Sequence, residues 1–217
     1  KPVHWSIDNK TALAEAELEY EDRLDPSIYV KMDSTDSAAL ASVFDVDHSS
    51  PISFLIWTTT PWTIPANLAI AIHENYSYAL IEVNSQRVIV AKDAIERLRQ
   101  HWEAPCRVLA ECQGSQLIGQ HYSHPFCERE GAIVHADYVT LDDGTGLVHT
   151  APGHGVDDYH TGLKFGLDVY CPVEGNGCYD NSVPDWLRGQ HIWKANPIIV
   201  ERLQDSGHML HYSEFTH

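Results

Sequence analysis

The sequence lacks the features that mark membrane proteins and secreted proteins. None of its apolar runs approaches the roughly 20 residues that a membrane helix needs, and the longest, such as residues 52–57 and 68–72, are of strand length. Its first residues show no basic stretch followed by an apolar one, so we expect no secretory signal. These absences predict a cytoplasmic protein without a membrane partner.

Cysteine is too scarce and too irregularly spaced for a zinc ribbon or a complete set of disulfides. The chain has five cysteines, an odd number, and no two of them are separated by only two residues. This pattern predicts free thiols in a reducing compartment.

Basic residues are also few. Fourteen Lys and Arg face 31 Asp and Glu, which gives a formal net charge of −17. Extended phosphate binding needs clustered positive charge, so any contact with nucleic acid should be narrow, such as one strand end held in a pocket. Neither Gly-x-Gly-x-x-Gly nor a Walker-type loop is present, which removes support for nucleoside triphosphate chemistry.

The patterns that are present predict a β-rich α+β fold, an antiparallel barrel-like core with peripheral helices. We expect one domain, residues 1–217, with an N-terminal segment (1–32), a barrel core that holds the site (51–175), and a C-terminal helix and exit strand (185–217). Residues 12–20 are ambiguous, because their composition favours a helix without a clear period. The helices are predicted at 37–44, 93–102 with Asp93 as N-cap, 157–165 and 193–205. The strands are predicted at 28–32, 52–58, 68–73, 76–83, 87–91, 107–113, 116–122, 132–135, 147–150, 169–173 and 209–212.

The first stretch that could carry chemistry is WTTTPWTIPAN, residues 57–67. A buried strand runs directly into four threonines and two prolines. Threonine offers a short donor and acceptor on a stiff side chain, and proline fixes the loop. The loop could present hydroxyl and backbone N–H groups to a small polar ligand, or it could simply be a strand end with proline-capped turns.

The second stretch is GTGLVHTAPGHGVDDY, residues 144–159. It combines a glycine-rich turn, a strand, a second glycine-rich turn and a helix start. Asp157 and Asp158 fall in the first helical turn, where negative charge is favoured, so either could serve the helix alone. One of them could instead point into a pocket and pair with a cationic group such as a substrate α-ammonium. A metal site of His149, His154, Asp158 and His160 is a further reading, although five residues separate the first two histidines across a Pro-Gly turn.

Together the two stretches resemble the editing insertion of the isoleucyl-, valyl- and leucyl-tRNA synthetases. The segment HTAPGHG, residues 149–155, is similar to the isoleucyl branch, since the valyl branch usually has Lys at the position of His149 and the leucyl branch has Met. Residues 1–6, 11–20 and 194–196 also resemble that branch, which implies that 11–20 is more extended than its composition suggests. The His-x-Gly-His and Lys-Met-Ser-Lys-Ser signatures of the synthetic site are absent. The resemblance is therefore to a hydrolytic fragment, and ATP binding would belong to the parent enzyme.

The resemblance implies post-transfer editing, in which the ester of a wrongly attached valine is hydrolysed from the tRNA for isoleucine. Partners would be the aminoacylated 3′ end of that tRNA, its valine moiety and the remainder of the synthetase. A positioned water, rather than a covalent Ser or Cys, would attack, and neither a metal nor a cofactor is expected. The implied catalytic residues are Asp158, Thr58 and Thr63. The implied substrate-binding residues are Asp158 for the ammonium, His149 for the side-chain pocket, Thr58, Thr59, Thr60 and Thr63 for ester, ribose and water, and Asn67 as a brace of that loop.

Two alternatives of other classes remain at this point. One is a non-catalytic module that binds a tRNA 3′ end or a small amino acid without turnover. The other is a metal-dependent hydrolase built on His149, His154 and Asp158.

Overall fold

The computed structural model describes residues 1–19, 22, 24–102 and 104–216. Its strands are β1 (Trp5–Ser6), β2 (Thr11–Ala12), β3 (Leu24–Asp33), β4 (Ile52–Thr58), β5 (Ala69–Ile72), β6 (Ser77–Val83), β7 (Gln86–Ala91), β8 (Cys106–Gln113), β9 (His121–Ser123), β10 (Glu130–His135), β11 (Val148–Thr150) and β12 (Met209–Thr216). Its helices are α1 (Ser37–Phe44), α2 (Ile95–Trp102), α3 (Val156–Phe165) and α4 (Ile192–Asp205). No described helix is long and apolar enough to cross a membrane.

Two sheets form the body of the molecule. The larger has six strands in the order β12-β3-β4-β7-β6-β8, and the smaller has four in the order β11-β5-β10-β9. The β-rich α+β class with peripheral helices is therefore confirmed. The core is barrel-like only in a loose sense, since it is not a closed barrel. The antiparallel part of the prediction needs correction, because β4 pairs with β7 and β5 pairs with β10 in parallel.

Strand β4 lies in the middle of the larger sheet and leads to the site. Its sequence, ISFLIWT, shows no apolar–polar alternation, as is typical of strands covered on both faces. Six of its seven residues are buried and the seventh, Trp57, is half-buried. Strand β7 pairs with the first three residues of β4, and β3 pairs with β4 as far as Thr58, which lies opposite Ile28. The pairing with β3 therefore fixes the position of Thr58.

Single residues next to the helices mark where two of them begin or end. The carboxylate of Asp36 accepts the backbone N–H of Ala39 at 2.9 Å and caps α1. Helix α3 ends at Gly166, which adopts the left-handed conformation with φ of 68°. Asp93 was predicted to cap α2 but lies inside a 3₁₀ turn, Lys92–Ala94, that precedes this helix, so the cap prediction is wrong.

Three further segments differ from the prediction. Residues 116–122 were predicted as a strand, but only His121–Ser123 pairs in a sheet, after a 3₁₀ turn at Gly114–Gln116. Residues 169–173 form no strand and contribute a single bridge from Val173 to Tyr179. The ambiguous segment 12–20 contains the end of β2 and a 3₁₀ turn at Glu15–Glu17, and its last residue, Tyr20, lies outside the described residues.

Candidate functional site

The threonine-rich loop is a compact turn that follows directly from β4. Thr58 accepts the backbone N–H of Thr60 on its Oγ1 at 3.1 Å, and a 3₁₀ helix, Pro61–Ala66, comes next. The Thr63 hydroxyl lies 2.9 Å from the carbonyl oxygen of Thr60 and donates to it. Short side-chain bonds to the local backbone thus hold the threonine hydroxyl groups of this loop close together.

Helix α4 anchors this loop from outside. The backbone N–H of Trp62 donates to the side-chain oxygen of Asn196 at 2.9 Å, and Asn196 is buried in α4. The hydroxyl of Tyr179 donates to the carbonyl oxygen of Trp62. The loop is therefore held between the sheet and the C-terminal helix, an arrangement that positions its hydroxyl groups before any ligand binds.

The second glycine-rich stretch reaches the same place through β11. This strand pairs antiparallel with β5, with His149 opposite Ile70, so it lies beside the chain that leaves the threonine-rich loop. Gly146 precedes it with φ of 75°, and a Cβ on Gly146 would lie 2.3 Å from the Cβ of Ala91. Both the backbone conformation and the close approach require glycine here.

The two stretches meet at a cleft of about 420 Å³. Of the residues predicted to bind substrate, all but Asn67 line it, and Asn67 is buried behind the wall, 1% exposed. The cleft is lined by Trp57, Thr58, Thr59, Thr60, Thr63, Tyr138, Thr140, Asp143, Gly144, Thr145, Gly146, Leu147, Val148, His149, Ala151, His154, Gly155 and Asp158. The sequence prediction that these separate stretches form one site agrees with this placement, while the role of each residue stays a prediction.

The structure distinguishes the two aspartates of α3. Asp157 is exposed, whereas Asp158 lines the cleft. The Oδ2 atom of Asp158 accepts the backbone N–H of Ala151 at 2.9 Å. Burial raises the pKa of Asp158 to about 6 and outweighs that hydrogen bond, which acts in the opposite direction. A carboxylate held in this way gains strongly from a cationic ligand, because the ligand would compensate a charge that has lost water.

His149 forms the wall between the cleft and Asn67. Its Nε2 lies 3.0 Å from the hydroxyl of Thr63, and its Nδ1 lies 2.8 Å from the amide nitrogen of Asn67. Burial lowers the pKa of His149 to about 3, so the ring is neutral at physiological pH. With both nitrogens already in hydrogen bonds, the ring offers mainly carbon to the cleft.

His154 lies on the other side of the cleft, with its ring 5.2 Å from that of Trp62 in an edge-on contact. Burial lowers the pKa of His154 to about 4. Its Nε2 is buried and has no hydrogen-bond partner within the described part of the chain.

Sequence reasoning missed several residues of the cleft and its support, among them Tyr138, Asp143 and Arg97. Tyr138 lines the cleft, and burial, assisted by the nearby charge of Asp158, raises its pKa to about 12. Asp143 lines the mouth and is exposed. Arg97 of α2 donates to the carbonyl oxygens of Leu141 at 2.9 Å and Gly144 at 2.7 Å. It thereby holds the loop that forms one wall, a long-range contact that no local pattern marks.

The histidines of the cleft do not form a metal-binding cluster. Within the ranges that the structure describes, no group of three or more His, Cys, Asp or Glu side chains could hold a metal ion. The bonds of His149 to Thr63 and Asn67 occupy both of its ring nitrogens. The arrangement thus gives no support to the metal-dependent reading.

Comparison with known proteins identifies the origin of this site. No family model matches the chain. The isoleucine–tRNA ligase of Klebsiella pneumoniae (strain 342) is 46% identical to it over 219 residues, which cover all of this chain and 23% of that protein. The isoleucine–tRNA ligase of Proteus mirabilis (strain HI4320) is also 46% identical, over 218 residues. The chain is homologous to one segment of isoleucine–tRNA ligase.

Solved structures with a similar backbone show which fold this chain has. A structure described as GlLeuRS-CP1 superposes with a TM-score of 0.69 at 17% identity, covering 87% of this chain and 99% of that one. The editing domain of the cytosolic leucyl-tRNA synthetase of P. knowlesi superposes with a TM-score of 0.66 at 10% identity, covering 92% of this chain. At these identities the likeness concerns the fold, and it confirms the resemblance to a synthetase editing domain. The segment spans 23% of the length of the curated relatives.

Proposed function

We propose that this chain hydrolyses the ester bond between a wrongly attached valine and the 3′ end of the tRNA for isoleucine. The observation that carries this proposal is the Asp158 carboxylate, held inside the cleft opposite the threonine-rich loop. A free α-ammonium is the group that distinguishes an aminoacyl ester from most other esters. A buried carboxylate selects it, because esters without the amine would leave the charge uncompensated.

The need for such a site follows from the limits of a synthetic pocket. One methylene more or less in an apolar pocket changes binding by only about 1–3 kcal/mol, isoleucyl-tRNA synthetase being the usual example. Valine is therefore attached to the tRNA at a harmful rate unless a second site removes it. A cleft that admits the smaller side chain and excludes the larger one meets this need.

The threonine-rich loop would hold the ester and the attacking water. The Thr63 hydroxyl already donates its proton to the carbonyl of Thr60, so it can only accept from a ligand. The Thr58 oxygen accepts from the backbone N–H of Thr60, and its hydroxyl lies 3.2 Å from that of Thr60, where either oxygen can be the donor. Thr58 is therefore the better candidate to donate to the scissile carbonyl, where negative charge develops.

The remaining partners follow from the charge of the chain. With a net charge of −17, the domain cannot hold an extended length of tRNA by itself. We infer that it receives only the aminoacylated end, while the rest of the parent synthetase provides most of the tRNA affinity. The adenosine and its ribose would lie toward the mouth, where the threonine-rich loop and Asp143 line the cleft.

The test is deacylation of valyl-tRNA and isoleucyl-tRNA, both made on the tRNA for isoleucine, by this chain and by its Asp158→Ala variant. Rapid loss of valine alone, abolished in the variant, supports the proposal. If the native chain releases neither amino acid, binding of a non-hydrolysable valyl-adenosine analogue is measured next. Tight binding of the analogue would then favour an editing site that needs its parent enzyme to deliver the tRNA end over a non-catalytic binding module. Full activity in the variant would remove Asp158 from the mechanism.

A further inference from the structure

The buried amide of Asn67 has a single possible orientation. Its nitrogen lies 2.9 Å from the carbonyl oxygen of Ala69. A backbone carbonyl can only accept, so the group that faces it must be the NH₂ and not the oxygen. The amide oxygen then faces the hydroxyl of Tyr122, 2.6 Å away, and accepts its proton.

This orientation determines where the proton of His149 lies. The second N–H of Asn67 points at Nδ1 of His149, 2.8 Å away, so Nδ1 must be the unprotonated nitrogen that accepts. In the neutral ring the proton is then on Nε2, and it is donated to the hydroxyl oxygen of Thr63 at 3.0 Å. Thr63 in turn donates to the carbonyl of Thr60. The four side chains therefore form one directed chain of hydrogen bonds, Tyr122 to Asn67 to His149 to Thr63.

We propose that Tyr122 is a positioning residue that, through Asn67, fixes His149 as the neutral tautomer protonated on Nε2. The inference rests on the proposed function, in which the ring of His149 is the wall that excludes isoleucine. Because both ring nitrogens of His149 are already hydrogen-bonded to Thr63 and Asn67, the ring presents a rigid carbon surface to the cleft. This surface selects the amino acid by the shape of its side chain rather than by hydrogen bonding. Tyr122 lies outside both sequence motifs and does not line the cleft.

The surroundings of Tyr122 are built to hold its hydroxyl in place. The side chain is fully buried and packs edge-on against Phe54 of β4, with ring centroids 6.5 Å apart. Gly131 lies opposite it on β10, and a Cβ there would come within 2.2 Å of the Tyr122 oxygen. The φ angle of Gly131 is not positive, so the requirement for glycine here is one of space for the tyrosine hydroxyl.

The titratable groups around His149 do not disturb this state near neutral pH. Burial lowers the pKa of His149 to about 3, of His154 to about 4 and of His124 to about 3. Asp158, in the same cleft, is the group that titrates nearest to neutrality. The ratio of valyl to isoleucyl ester hydrolysis should therefore stay constant between about pH 5.5 and 8.5, even where both rates change.

The experiment is ¹⁵N NMR of the histidine side chains in the native chain and in Tyr122→Phe, with the His149 signals assigned from a His149→Gln spectrum. We expect a protonated Nε2 and an unprotonated Nδ1 in the native chain at pH 7. In Tyr122→Phe the ring loses its restraint, so we expect exchange-broadened His149 signals and about a five- to tenfold lower preference for the valyl ester. Tyr78→Phe is the matched control. The hydroxyl of Tyr78 is also buried, accepts the backbone N–H of His73 and donates to the carbonyl oxygen of Gly146, but it lies outside the chain of hydrogen bonds that leads to His149. The His149 signals and the preference for the valyl ester should therefore stay unchanged in this variant.

Each result decides between supporting and overturning the inference. A proton on Nδ1 or a charged ring in the native chain overturns it, even if the valyl ester is hydrolysed. Unchanged signals and selectivity in Tyr122→Phe overturn the role of Tyr122. If that variant does not fold, Asn67→Asp gives a second test, because a carboxylate cannot donate to Nδ1 and the proton of His149 should move there. Failure of the native chain to hydrolyse either ester concerns the proposed function and leaves the NMR result standing.

Discussion

Replacing Asp158 by asparagine separates the contribution of this residue to deacylation from its effect on the stability of the fold. Asparagine has nearly the same shape and keeps an oxygen that can accept the N–H of Ala151, the bond that Asp158 makes at 2.9 Å. It removes the negative charge, which burial makes unfavourable. We therefore expect the variant to lose deacylation and, at the same time, to become more stable than the native chain.

The magnitude follows from the pKa. Burial raises the pKa of Asp158 from its ordinary value of 3.8 to about 6. When the group is ionised in both the folded and the unfolded state, this difference lowers the free energy of unfolding by roughly 3 kcal/mol. Because the folded-state pKa is the higher one, the folded chain binds the proton more tightly, and stability from this source is lost as pH rises through 6. The advantage of Asp158→Asn should be near zero below about pH 4, about half its full value at pH 5 and complete above about pH 7.

Thermal unfolding at pH 5 and pH 8 measures this difference, and valyl-tRNA deacylation measures the function. At pH 8 we expect Tm to rise by up to about 10 °C for a chain of this length. Asp157→Asn is the control, because Asp157 occupies the same helical turn but is exposed, and it should keep both activity and its native Tm within about 1–2 °C. A variant of Asp158 that is destabilised at pH 8, or whose Tm difference does not depend on pH, would refute the reasoning.

Four further outcomes are expected. His149→Ala should open the side-chain pocket and allow the isoleucyl ester to be hydrolysed at least about tenfold faster, measured as kcat/KM; no gain would remove His149 from the selection. Treatment with EDTA should leave the deacylation rate unchanged, whereas a loss that zinc restores would favour a metal-dependent reaction. Gly146→Ala should lower the free energy of unfolding by at least about 2 kcal/mol in a denaturant titration, since its φ is 75° and its Cβ would meet Ala91 at 2.3 Å. Valinol, which keeps the amine without a carboxylate, should inhibit more strongly than valine, and equal inhibition would argue against repulsion by Asp158 and Asp143.

The elements that the sequence predicted best are those whose signals are local. Both α1 and β4 have the predicted bounds, residues 37–44 and 52–58, because composition and a largely apolar run of strand length act within a few residues. The predicted strand at 116–122 was wrong because a 3₁₀ turn at its start depends on contacts with the loop before β6. Parallel pairing of β4 with β7 is likewise a property of chain topology, which apolar patterns do not encode.

The site shows the same division between local and long-range information. Two motifs identified most of the residues that line the cleft, since a threonine-rich turn and a glycine-rich turn can be recognised in the sequence itself. The partners that hold those residues come from distant segments. Tyr122, Arg97 and Asn196 each act through one or two hydrogen bonds across at least 44 positions, and none of them belongs to either of the two motifs.

The electrostatics of the cleft favour release of the product over its retention. None of the side chains that line it is a lysine or an arginine, while Asp158 and Asp143 are both present. The proposed substrate brings an ammonium and a neutral ester, which suit this surface. Hydrolysis converts the ester into a carboxylate, and like charges within one partly buried site repel each other. In the proposed reaction, the aspartate that would attract the ammonium of the substrate would also weaken binding of the free amino acid, because the product carries a new carboxylate that Asp158 repels.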